Sequence, residues 1–118
     1  MSNAFSDSVL AAANRLVSAA EGKETLASAL DELRPLLQLL AVATAFPETL
    51  DVNLDHAEME IMQDLTLELD EPTRLAISRF ASSTGHSADS LVLGDRRGAM
   101  SVASRCAQLS TVLFDYGL

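Results

Sequence analysis

The sequence predicts an all-α fold, a single compact bundle of four to five helices closed by a long C-terminal helix. Three observations lead there. Apolar residues recur three and four apart through most of the chain, the stripe of an amphipathic helix. Aromatic residues make up only 4% of the sequence and Trp is absent, while Ala, Leu and Ser dominate, a composition that favours helix over sheet. Finally, the one alternating stretch, "TLELD" at 66–70, has no second strand signal nearby to pair with. The 118 residues fit one domain spanning 1–118, with residues 1–5 read as a loose or cloning-derived leader. A chain of this size buries roughly 65% of its unfolded surface, enough for a core without metal or disulfide staples.

The first helix is predicted over "SDSVLAAANRLVSAAEG", where Val9, Leu10, Ala13, Leu16, Val17 and Ala20 keep helical spacing. Ser6 or Asp7 caps its start and Gly22 its end. "ETLASALDELRPLLQLLAVATAF" follows with Leu26, Leu30 and Leu33 on one face. Pro35 then interrupts, so two helical pieces are expected to meet there, as a kink or a new start. "LDHAEMEIMQDLTLELD" places Leu54, Ile61, Met62, Leu65 and Leu69 on one side and acids on the others. Asp70 caps the next helix, with Glu71 and Pro72 in its first turn, and Gly85 is expected to close it. "HSADSLVLGDRRG" is the least regular part, because Gly94 and Gly98 weaken any helix through it. From about Ala99 a final helix runs to near Tyr116, with Val102, Cys106, Leu109 and Leu113 forming a heptad-like seam.

Charge is segregated along this framework. The formal net charge is -9. Residues 51–71 hold eight acids and neither Lys nor Arg, whereas residues 72–118 hold five arginines against three aspartates. Such a chain repels nucleic acid, whose binding begins with neutralising phosphates. No direct nucleic-acid binding is expected. The opening "MSNAFSDSVL" lacks the cationic start of a secretory signal. "PLLQLLAVATAF" is shorter than the ~20 apolar residues that cross a bilayer, so no membrane association is expected. A single Cys106 forms no internal bridge, which suits a reducing compartment, and the expected location is the cytoplasm.

The motifs that carry chemistry are incomplete. Asp51, Asn53 and Asp55 begin like a calcium loop, but His56 stands where the sharp turn needs Gly and Met62 where the bidentate acid belongs. His56 and Glu60 share a helix face, yet a metal needs further ligands and His86 is the only other His. Neither His follows a Glu by three residues, as a di-iron bundle requires. "GDRRG" lacks both the strand and the Lys-Ser/Thr of a phosphate loop. Cys106 sits among apolar seam residues, where a thiol is inert. No catalytic residue, cofactor or metal is therefore expected.

The final helix is more informative. Beside the seam of Val102, Cys106, Leu109 and Leu113, read as core or dimer contact, it carries Met100, Ala107 and Phe114 on an adjacent stripe. That apolar arc is wider than one contact requires. Phe114 and Tyr116 are the expected partner-binding anchors. Ile77, Phe80 and Leu91 are the alternative surface should the two aromatics serve only the core.

The closing "SVASRCAQLSTVLFDYGL", with its Ala107, Gln108 and the apolar Leu109, Val112, Leu113 and Phe114, resembles the end of the TraM-type quorum-sensing antiactivators. The resemblance covers about a fifth of the chain. It implies a homodimer that binds a LuxR-type transcription factor and prevents its dimerisation and DNA binding, with no catalytic residues. It places nothing on residues 51–71. Two other readings stand beside it: an acidic helical secretion chaperone or antitoxin, and a small metal-binding bundle using His56 and Glu60.

Overall fold

A computed structural model describes residues 4–47, 63–92 and 94–118. Helix α1, Ala4–Ala20, turns Phe5, Val9, Ala12, Ala13, Leu16 and Ala20 inward, the spacing that puts one face of a helix in a core. It ends at Gly22, whose φ of 79° is the left-handed conformation that glycine adopts without a steric penalty. Phe5, expected in a loose leader, is instead helical and buried.

Helix α2, Leu26–Ala45, begins at Thr25, whose side chain accepts from the Ser28 backbone N–H at 3.2 Å. Of the two readings that the sequence leaves open at Pro35, a kink within one helix or a new start, the second does not hold, because α2 is one continuous helix with Pro35 inside it. Pro35 and Asp31 are both exposed. The carbonyl that Pro35 leaves without an N–H therefore lies on the wet side, where water replaces the lost bond. Leu30, Leu33, Leu37 and Leu40 keep the opposite side buried.

Residues 63–68 form the described part of α3. Leu65 and Leu69 pack on the core, and the buried Thr66 hydroxyl donates to the Gln63 carbonyl at 2.9 Å. The expected start of this helix, with His56, Glu60 and most of the acids, lies outside the described residues.

Helix α4, Glu71–Asp89, starts at Asp70 as expected. The Asp70 carboxylate accepts from the Thr73 N–H at 3.1 Å, and its bonds to Thr73 hold its pKa below the usual carboxylate value. Gly85 does not end α4. The helix continues one turn further to Asp89, because Ala88 still has core to bury. Helix α5, Arg96–Asp115, likewise begins before Ala99, since Asp95 caps it by accepting from the Gly98 N–H at 2.8 Å.

The four long helices run up, down, up, down around one core, as the bonds from Phe5 to Leu118, Ser78 to Ala41 and Arg105 to Ser83 show. Helix α1 packs most extensively on α5 and α2 on α4, and of the four neighbouring pairs around the bundle α4 and α5 pack most sparsely. Arg15 of α1 ties to Glu32, Glu24 and Ser28. Ser78 of α4 donates to the Ala41 carbonyl at 2.7 Å, and Arg74 to that of Thr44 at 3.2 Å. At the end of α5 the chain turns at Gly117, φ 77°, and folds Leu118 inward. The Leu118 carbonyl accepts from the N–H groups of Phe5 and Ser6 at 3.0 and 3.3 Å, satisfying donors that the first turn of α1 leaves unpaired. Ser110 adds a hydrogen bond to the Ser6 carbonyl at 2.7 Å. The apolar end of the sequence is thus packed on the chain's own first helix.

Gly98 gives a direct test of the α5 start. In an ordinary helix Gly→Ala stabilises by up to about 1 kcal/mol. Here an added Cβ would meet the Asp95 carboxylate and come within 2.6 Å of Leu91 Cδ2, displacing the cap. Losing a cap costs about 1 kcal/mol, so Gly98→Ala is expected to leave stability unchanged or lower it, read by urea denaturation. A clear gain would mean that the cap is not held by that glycine.

Candidate partner-binding groove

The shallow packing between α4 and α5 leaves a groove on the bundle surface. Its apolar end, of about 380 Å³, is lined by Pro72, Thr73, Ala76, Ile77 and Phe80 of α4 and by Leu109, Val112 and Tyr116 at the α5 end. Helical spacing explains the set: 73, 76, 77 and 80 share one face of α4, and 109, 112 and 116 one face of α5. Arg105 bounds this end. Its guanidinium lies 5.7 Å from the Phe80 ring centroid, a cation–π distance, and donates to Ser87 and Ser83 at 3.0 and 2.7 Å. Beyond Arg105 the groove widens into a polar hollow of about 690 Å³ lined by Arg79, His86, Leu91 and several serines.

The five expected partner residues therefore do not form one surface. Tyr116 and Phe80 flank the apolar groove. Ile77, only 3% exposed, is a core residue that floors it rather than an exposed anchor. Leu91 sits in the polar hollow at the far end of α4. Phe114, 59% exposed, lies two positions from Tyr116 and so projects from a different side of α5, away from α4. Sequence spacing alone contained that separation, since residues two apart on a helix do not share a face. What it could not show was which neighbour each side meets.

The seam resolves the other way. Val102, Cys106, Leu109 and Leu113 are all buried in the chain's own core, so none has a side chain to offer a second copy. The core is internally satisfied: among the described residues no buried side-chain N or O lacks a hydrogen-bond partner. The hydroxyls of Thr44, Thr84 and Ser110 all donate to backbone carbonyls. No three His, Cys, Asp or Glu among the described residues are placed to hold a metal ion, and no described helix is long and apolar enough to cross a membrane.

Burial pushes the Cys106 thiol up to about 11, with the nearby Arg105 charge opposing. Because the folded value lies above the unfolded one of about 9, Cys106 favours the native state fully below pH 9 and progressively less as pH rises through the folded value. Native protein at pH 8 is therefore expected to react with a thiol reagent only as fast as it unfolds. Fast labelling without denaturant would contradict the buried position.

No family model, curated protein or solved structure matches this chain.

Proposed function

We propose that the chain is a non-enzymatic antiactivator that acts in the cytoplasm by contact, sequestering a LuxR-type transcription factor so that it neither dimerises nor reaches DNA. The observation that carries this reading is the apolar groove between α4 and α5, whose apolar lining and aromatic flanks suit the apolar face of an amphipathic helix. Two anchors at its rim, Phe80 and Tyr116, are of the type that dominates binding energy when covered. The net charge of -9 supports the same class of partner. A DNA-binding protein presents basic surface, and opposite charge raises the rate of encounter. The closing-helix resemblance supplies the identity of the regulator family.

The test is a titration of the purified chain into a LuxR-type regulator bound to its operator, followed by fluorescence anisotropy. The reading requires stoichiometric release of DNA and a 1:1 or 2:2 protein complex in sedimentation. Regulators that hold their operators unchanged in excess chain would overturn it.

A further inference from the structure

Arg15, Lys23 and Arg34 each hold a carboxylate, whereas no cation of α4 or α5 makes an ion pair among the described residues, although the chain has 17 acids and only 8 bases. Two of these unpaired arginines meet at the polar hollow between α4 and α5. Arg79 lines it and makes no side-chain hydrogen bond among the described residues. Arg105 stands at its edge, donating to Ser87 and Ser83 at 3.0 and 2.7 Å with further guanidinium N–H groups to spare. A hydroxyl that accepts from a guanidinium keeps its own hydrogen, so both serines retain an O–H to give into the hollow.

The facing sides of the two helices change character at Arg105. Below it α4 presents Ala76, Ile77 and Phe80, and above it the same face continues as Ser83, Ser87 and Ser90. Apolar residues at those positions would have drawn the two helices together. Hydroxyls and cations instead leave about 690 Å³ open, the size of a small-molecule site. The one carboxylate in the lining is that of Asp95, which accepts from the Gly98 N–H at 2.8 Å. It lies with Leu91 beside Gly98, past the end of α4 and about two helical turns, ~11 Å, from Ser83. Asp89 is turned away to Arg34 of α2.

We propose that this hollow binds a small phosphomonoester, its phosphate held at the level of Ser83 by Arg79, Arg105 and the Ser83 and Ser87 hydroxyls, and its organic part lying toward Ser90 and Ser101. Two guanidinium groups match a phosphate by geometry as well as charge, and the hydroxyls complete the donors. His86, which also lines the hollow, offers a ring N–H beside them. The net charge of -9 opposes an anion only at longer range, because physiological salt screens charges beyond about 8 Å. The site lies on the polar side of Arg105, so its ligand does not depend on the partner proposed for the apolar groove.

Titration of ribose 5-phosphate into the purified full chain, followed by calorimetry and by amide chemical shifts in NMR, tests it, with inorganic phosphate and ribose as the other two probes. Ribose 5-phosphate should bind at a single site with a Kd below about 1 mM, inorganic phosphate about tenfold more weakly, and ribose not at all. The shift changes should centre on residues 79–90 of α4 and 101–105 of α5. Arg79→Gln should raise the Kd about tenfold or more at an unchanged melting temperature, because the free fold loses no hydrogen bond or ion pair with it. Arg96→Gln, a cation of α5 outside the lining, should leave the Kd as it is. No heat and no shift at about 10 mM ribose 5-phosphate, equal affinity for phosphate alone, or an Arg79→Gln variant that binds as the wild type does would each overturn the proposal.

Discussion

Leu109→Ala and Leu113→Ala are each expected to lose about 3 to 5 kcal/mol of folding stability, by the transfer and cavity terms of a core truncation. Both side chains are fully buried where α5 meets the rest of the bundle, and the neighbouring residues belong to long helices that cannot collapse into the space. Against a typical total of about 5 to 15 kcal/mol, either change should leave the protein marginal or unfolded at 37 °C. Phe114→Ala is the control in the same helix. At 59% exposure it should cost less than about 1 kcal/mol, measured by urea denaturation. A comparable loss at Phe114 would mean that this flank of α5 is covered within the subunit.

Much of this architecture was legible in the sequence, for identifiable reasons. The Asp70, Glu71, Pro72 start of α4 was readable because capping is local chemistry, and Gly22 for the same reason. Misjudged boundaries came from treating Gly85 and Gly98 as breakers. Each is tolerated because tertiary context outweighs an intrinsic preference of about 1 kcal/mol: Ala88 extends α4 past Gly85, and Asp95 pins α5 through Gly98. At Pro35, where a kink or a new start stood open, solvent serves the carbonyl that the ring leaves unbonded and one helix runs through. The seam of α5 was evident from its period, but period cannot say whether a seam faces its own core or another chain. That depends on the α1 contacts and on Leu118, which folds back on residues more than a hundred positions away. The candidate groove was only half visible. Tyr116 and Phe80 were singled out, but their neighbours Pro72, Ala76 and Val112 carry no signal until α4 and α5 are set side by side.

The groove reading makes its largest claim at Tyr116. Tyr116→Ala is expected to weaken binding of a LuxR-type regulator by about 2 kcal/mol, roughly thirtyfold, because a covered aromatic at the groove rim loses both its apolar contact and its hydroxyl. With 44% of its surface exposed in the free chain, the same change should cost less than about 1 kcal/mol of stability. Binding and stability are thereby separated, the reverse of the pattern expected at Leu109. Ala76→Arg attacks the groove by filling it instead of emptying it. Ala76 is an exposed lining residue on α4, so a long cation there leaves the core untouched but obstructs an entering helix and repels a basic partner. It should therefore reduce affinity at least as much as Tyr116→Ala. The two variants fail together if the groove is not the binding surface: unchanged isothermal titration for both, with the regulator still bound, would move the contact to another face of the bundle.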